Sequence, residues 1–324
     1  MTRESLEILT FHRILPQGKR YFIPPMALDA RTFSALIERL AAAGRIVSLT
    51  DGVRQLAAGQ LSGRKVAITF DDGYRDNFDL ARDILRRIGT PATFFIPVGP
   101  IDEQRPYWWD TLHGVATRYA DEFFSWVAKR EFSGPLMARP IFAGGSTVDH
   151  LDDHCRNLVR VLNGVGDLER QSFLADLVRT FGDGQEERLL MNWDEIRRLQ
   201  DDGFDIGSHA LSHIPLTDLD EESACREIDL SADHLFQRLG RRPEGFCYPR
   251  GAHNEIHARM VEQSGYAYAV TTCFGSNENP ADLFTLKRRN MADYHGVRAY
   301  FPVAMYLFEL SGRLDSFLSS RRNG

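Results

Sequence analysis

Two stretches of this sequence end an apolar run in side chains that can hold a metal ion or move a proton. In ITFDDGYRDN the run closes on Asp71 and Asp72, followed by Gly73. Neighbouring residues at a strand's end point to opposite sides, so one carboxylate can bind a cation while the other serves as a base. In FDIGSHALSH the run is followed at once by His209 and His213. Their i, i+4 spacing is expected to set both imidazoles on one side of a helical turn, about the separation one metal ion spans. A third stretch, FCYPRG from Phe246 to Gly251, breaks from a strand into a proline turn. It reads either as an ordinary connection or as a backbone amide, that of Arg250, aimed at the same place to hold an oxyanion.

Position, more than residue type, sets these groups apart. Two further Asp-Asp pairs, Asp152-Asp153 and Asp201-Asp202, lie in helical contexts and read as solvated faces. His150/His154 and His253/His257 repeat the HxxxH spacing without following a strand and read as surface residues. Two neutral imidazoles and a carboxylate leave a coordination position for water, which suits catalytic zinc, although Co²⁺, Ni²⁺, Fe²⁺ or Mn²⁺ accept the same ligands.

The elements that must position these groups alternate. Strands are expected at Glu7–Phe11, Lys65–Phe70, Ala92–Val98, Phe204–Gly207, Gly245–Tyr248, Tyr266–Thr271 and Leu286–Arg289. Helices are expected at about 30–43, 53–58, 76–88, 220–239 and 254–264, with another opened by an Asn192/Glu195 capping box and a last one near 301–318. The alternation predicts an α/β fold, a distorted parallel barrel of about seven strands. Between about 100 and 190 it breaks into helices, opening on Tyr107, Trp108 and Trp109. The chain is thus read as one barrel domain with a helical insertion. That insertion either packs on the barrel or forms a lid or platform whose aromatic faces stack on sugar rings.

Composition narrows the function. The chain is 43% hydrophobic and 26% charged, too apolar for intrinsic disorder. Its 39 basic residues against 45 acidic ones give a formal charge of -6, so no basic field draws it to nucleic acid. Four scattered cysteines form no CxxC pair, and no run reaches the roughly 18 apolar residues of a transmembrane helix. A cytoplasmic protein is expected, although an exported chain with a trimmed leader would read the same. The segment VAMYLFELSGRLDSFLSS is read as packing on the barrel, with a dimer contact or peripheral membrane association as alternatives. Oligomeric state stays open.

In their order, TFDDG after a strand, GSHxxSH after a strand and the FxYPxG turn resemble the polysaccharide deacetylase family, the group related to the chitooligosaccharide deacetylase of nodulation. LTFHRI and NWDEIRRLQDDGFDIGSHALSH resemble the equivalent stretches of bacterial members. The resemblance covers roughly 7–98 and 191–289. It implies that Asp72, His209 and His213 bind a divalent metal, that Asp71 is the general base, and that an amide near Arg250 holds the oxyanion. The implied reaction removes an N-acetyl group from an amino sugar of a polysaccharide or its precursor.

Two departures accompany the resemblance. Many members carry an arginine where this chain has Cys247, and Arg250, across the proline, is the expected substitute for orienting the base. The family's late Leu-x-His motif has no clean counterpart, and His295 in RRNMADYHG is the nearest candidate for the acid. His12 is expected at the mouth as a proton donor or a polar contact to substrate, with Tyr248, Trp108 and Trp109 as aromatic contacts. Competing readings are a deformylase or another amide or imide hydrolase on the same fold, and a catalytically silent barrel that binds glycans.

Overall fold

The alternation of apolar strands with capped helices closes on itself. The computed structural model describes residues 4–130, 150–292 and 302–310. In chain order the first elements are β1 (Ser5–Phe11), β2 (Arg13–Leu15), β3 (Ala27–Asp29), α1 (Ala30–Ala42), α2 (Leu49–Ala57), β4 (Arg64–Phe70), α3 (Arg82–Ile88), β5 (Thr93–Ile96) and α4 (Val98–Glu103). Four helices follow: α5 (Trp108–Arg118), α6 (Ala120–Val127), α7 (Leu151–Gly164) and α8 (Asp167–Phe181). Then come α9 (Trp193–Asp201), β6 (Asp205–Ser208), α10 (Glu221–Leu239), β7 (Gly245–Cys247), α11 (Glu255–Gln263), β8 (Tyr268–Phe274), β9 (Leu286–Asn290) and α12 (Pro302–Glu309).

Seven parallel strands form a closed barrel in the order β1-β4-β5-β6-β7-β8-β9, and β9 returns to β1 with Leu9 beside Arg289 and Thr10 beside Asn290. This is the distorted α/β barrel that the alternation predicts. Leu6, Ile8, Ala67, Phe95, Cys247, Tyr268, Val270 and Leu286, from six of the strands, share one buried cluster with Leu49, Val53 and Leu56 of α2. The seventh strand, β6, contributes Gly207, where a Cβ would lie 2.4 Å from the Phe95 ring. Phe246 and Tyr248, on either side of Cys247, pack instead with Ala224, Ile228 and Ala232 of α10, as alternation along a strand requires.

Local signals account for most helix ends. Asn192 and Glu195 form the expected reciprocal capping box, and Gly89 and Gly240 close α3 and α10 in the left-handed conformation. Two boundaries differ from expectation. Helix α2 begins at Leu49, because the Ser48 side chain accepts from the Asp51 amide. The helix expected from Asp76 opens with a π-helical turn, Asn77–Ala81, before α3.

The chain divides into two compact units, one of 1–20, 24–104 and 190–324 and the other of 21–23 and 105–189. The second contains α5 to α8 and no strand among its described residues. There the Tyr21 hydroxyl donates to the Asp110 carboxylate, and Phe22 stacks on His113 at 4.2 Å. No helix among the described residues is long and apolar enough to cross a membrane, and all four cysteines are free thiols. Of the helix expected at 301–318, the described part is α12; His295 lies outside the described residues.

Candidate active site

Strand β4 delivers Asp71 and Asp72 to the carboxyl end of the barrel, where barrel enzymes gather their chemistry. The Asp71 amide still donates to the Phe11 carbonyl, so the first carboxylate continues the strand. Asp72 turns away with φ 71°, a left-handed conformation uncommon for a residue with a side chain. The two acids thereby enter different surroundings, although both are almost completely buried.

Asp72 faces the imidazoles. Its Oδ1 lies 3.3 Å from His209 Nε2 and 3.2 Å from His213 Nε2. The i, i+4 pair does not sit on a helical turn: Ala210 and His213 both have φ 63°, and the loop between them folds back so that the rings meet at 4.8 Å. Non-glycine residues seldom take that conformation, which is why the spacing alone suggested a helix.

Tautomer chemistry at His209 indicates what belongs between these groups. His209 Nδ1 lies 2.8 Å from the Cys247 carbonyl oxygen, which can only accept, so Nδ1 carries the proton. Its Nε2 then faces the Asp72 carboxylate, and a positive charge belongs between them, either a proton on Nε2 or a cation held by the ring's lone pair. Burial opposes charge on His209, yet Cys247, Asp72 and Asp71 together hold its imidazole well above the ordinary histidine range. Burial keeps His213 below its ordinary value despite Asp72. Against the cost of burial, hydrogen bonds from the two histidines hold the Asp72 carboxyl well below the carboxylate range. Three donors bound at about 2.0–2.1 Å in a tetrahedral site stand about 3.3 Å apart, so Asp72, His209 and His213 fit a divalent cation of the zinc type.

Asp71 faces an arginine. Arg288 of β9 donates from Nη1 to Oδ1 at 2.9 Å and from Nη2 to Oδ2 at 2.7 Å, a two-pronged pairing. The guanidinium is itself held by the Thr271 carbonyl at 2.8 Å, Thr69 Oγ1 at 3.2 Å and Cys247 Sγ at 3.1 Å. Burial raises the Asp71 carboxyl, but the charge and hydrogen bonds of Arg288 outweigh it and the net shift is downward. Asp71, His209 and Cys247 also cluster closely enough to ligate an ion. Arg288 already fills the cationic position against Asp71 and Cys247, and burial pushes the thiol up, away from the thiolate a metal requires.

His12, just beyond β1, completes the set. Its Nε2 lies 4.0 Å from Asp71 Oδ2, beyond hydrogen-bond distance, and its side chain keeps 19% exposure where both acids keep almost none.

Two expected residues, Arg250 and Tyr248, have other surroundings, and two more, Trp108 and Trp109, belong to the second unit. The arginine on Asp71 is Arg288 and not Arg250, whose side chain is exposed at the turn after β7. The local reason is that Arg250 has φ 57° and Gly251 φ 71°, with the Arg250 carbonyl accepting from Thr272 Oγ1. Tyr248 is fully buried on the α10 side, stacks on His253 at 4.7 Å and donates its hydroxyl to the Phe284 carbonyl at 3.0 Å, so its ring is core and not a substrate contact. Trp108 and Trp109 lie in the second unit, where Trp109 stacks on Tyr107 at 4.7 Å and meets Trp108 edge-on at 5.5 Å.

Comparison with known proteins identifies the family and the fold. The family described as polysaccharide deacetylase matches residues 58–122 and 174–269, which carry Asp71, Asp72, His209, His213 and the FCYPRG turn. The chain belongs to the polysaccharide deacetylase family. Members of the family are hydrolases acting on carbon–nitrogen bonds by de-N-acetylation, and the chain is such an enzyme. No curated protein matches it in sequence. Among solved structures, the Streptococcus pyogenes deacetylase PplD in complex with acetate aligns with TM-score 0.59 at 15% identity, over 90% of this chain and 96% of that one. IcaB from Ammonifex degensii aligns with TM-score 0.55 at 16% identity, over 94% and 97%. A de-N-acetylase from Aggregatibacter actinomycetemcomitans aligns with TM-score 0.52 at 15% identity, over 93% and 100%. At these identities the structures share the fold with this chain.

Proposed function

We propose that the protein is a metal-dependent hydrolase that removes the N-acetyl group from an amino-sugar unit of a polysaccharide or its precursor. The observation that carries this reading is the division of labour between two adjacent buried acids: Asp72 faces two imidazoles and Asp71 faces an arginine. A binding barrel has no use for a second, separately ionised carboxylate.

Asp72, His209 and His213 hold the ion, most simply Zn²⁺, and Co²⁺, Ni²⁺, Fe²⁺ or Mn²⁺ suit the same donors. When bound, it polarises the acyl carbonyl and acidifies a water. Asp71 takes the proton of the attacking water. Arg288 keeps that acid ionised beforehand and fixes its orientation; Oδ2 also accepts from the Cys247 thiol at 3.5 Å, and Oδ1 retains a second lone pair for the incoming proton. The amides of Tyr248, Gly251 and Ala252 already donate to the carbonyls of Val270, Tyr248 and Pro249. That leaves the Arg250 amide as the donor to the oxygen that gains charge. His12 protonates the departing amine; it stands beside the base yet is not bonded to it.

The acetate in the PplD complex supports acetyl as the group removed. Four free thiols support a reducing, cytoplasmic location. The helical unit is read as an insertion in the barrel whose half-buried Trp108 and Trp109 offer aromatic faces to a sugar chain.

Acetate release from N-acetylglucosamine oligomers tests the reading, with native, Asp71→Asn and metal-stripped protein compared. Release by the native chain alone is expected. Formate released from N-formyl substrates, with no acetate from N-acetyl ones, would reassign the acyl group and leave the site assignment standing. An ion bound at the site with no turnover of any acyl donor would overturn the enzymatic reading.

A further inference from the structure

The loop that carries both imidazoles is held from two sides, and one of its holders is a buried acid that no step above uses. Glu227 lies on the buried face of α10 among Ala224, Ile228, Ser231 and Leu235. Its Oε2 accepts from the Leu211 amide at 3.0 Å and the Ser212 amide at 2.8 Å, and its Oε1 accepts from the Ser212 hydroxyl at 2.6 Å. From the other side the amides of Val98 and Gly99, at the start of α4, donate to the carbonyls of Ala210 and Leu211 at 3.3 and 2.6 Å. The backbone between His209 and His213 is thus gripped through its N–H groups by a carboxylate and through its carbonyls by a helix start. It needs both, because Ala210 and His213 occupy left-handed conformations that a free loop of these residues would leave.

We propose that Glu227 is a positioning residue of the metal centre, which fixes the loop so that His213 meets Asp72 and His209 before any ion arrives. The proposal rests on the reading of Asp72, His209 and His213 as ligands. Groups one shell beyond a metal's ligands typically change affinity by 10- to 100-fold when removed. An amide in place of the carboxylate leaves one acceptor oxygen for three donors and turns an NH₂ toward them.

Zn²⁺ affinity of the metal-free full chain, measured by competition with a chelating dye, tests this for native protein, Glu227→Gln, Glu227→Asp and Ser212→Ala. Glu227→Gln is expected to weaken Zn²⁺ about 10- to 100-fold, with Glu227→Asp recovering part of the loss. Ser212→Ala deletes a single bond from the loop side without altering α10 and should weaken Zn²⁺ by less. The visible spectrum of the Co²⁺-loaded variants should shift from the native one, a change that a general loss of fold stability does not produce. Native-like Zn²⁺ affinity and Co²⁺ spectrum in the folded Glu227→Gln and Ser212→Ala proteins overturn the proposal alone. A native chain that binds no Zn²⁺ overturns the ligand assignment, and the proposal falls with it.

Discussion

Consecutive residues of β9 bury two arginine–carboxylate pairs on opposite faces of the same strand. Arg288 meets Asp71 with Thr69, Thr271 and Cys247 around it. Arg289 meets Glu7 at 2.7 Å, with Ser5 on the same carboxylate, Ser276 at 3.0 Å on the guanidinium and the Phe274 ring beneath it at 4.5 Å. Both pairs are almost wholly excluded from solvent. Burial and charge pairing therefore do not identify a catalytic acid, because structural ion pairs have the same traits. The difference lies in what else converges. Two imidazoles and a second carboxylate stand beside Asp71. Around Glu7 the partners are Ser5, Arg289 and Arg64, and Arg64 also donates to the Leu310 carbonyl, tying the end of β4 to the residue after α12.

The largest effect expected from breaking this contrast is at the inner acid itself. Asp71→Asn should lower kcat by about 10²- to 10⁴-fold, the range a general base supplies, while metal content stays native. Arg288→Met should follow with a loss of about 10²-fold in kcat, since a misplaced base costs about that much, and with a smaller change in KM. Steady-state kinetics alongside metal analysis checks both. His12→Gln should also lower kcat by about 10²-fold with metal retained, the signature of a lost acid.

The outer pair should respond in the opposite currency. Arg289→Met or Glu7→Gln leaves a buried charge or its partner unsatisfied and should cost about 3–5 kcal/mol of stability. Urea unfolding is the check, and kcat per folded molecule should remain native. Were Glu7→Gln to lower kcat as far as Arg288→Met does, the two pockets would not be functionally distinct.

A buried neutral group gives the smallest effect and a pH-gated control on both ionic pockets. Burial raises the Tyr266 phenol to about 12 despite hydrogen bonds with Ser208 and Ser231. An unfolded tyrosine ionises near pH 10, so the native state holds this proton more tightly. The contribution is whole below about pH 10 and is lost as pH rises to about 12, a change of at most about 2–3 kcal/mol. Tyr266→Phe should make that alkaline decline shallower in urea titrations.

Much of this was legible in the residues because strand-ending chemistry leaves a local mark. Asp71, Asp72, His209 and His213 each follow an apolar run, and the Asn192–Glu195 cap is written in four consecutive positions. Arg288 was not legible. In LKRRN nothing local separates a guanidinium aimed into the barrel from one on a solvated edge; only the closure of β9 against β1 brings it near Asp71. Near Cys247 the sequence offers only Arg250 in place of the missing arginine, and its side chain lies beyond a left-handed turn. Glu227 did leave a mark, an acid on the helix face that carries Ala224, Ile228 and Leu235. A buried acid on a helix names no partner until the loop it grips is in view.

In the proposed mechanism Asp72 holds an ion that the adjacent Asp71 needs for its work. Titration of metal-free protein with Zn²⁺, with bound ion and acetate release followed in the same samples, tests it most directly. Acetate release should rise in proportion to occupancy and saturate at about one ion per chain. Asp71→Asn should bind the same ion with native stoichiometry and release almost no acetate, and Asp72→Asn should lose both binding and release. Acetate release at full rate without bound metal, or an Asp72→Asn protein that binds and turns over as the native chain does, would contradict the claim.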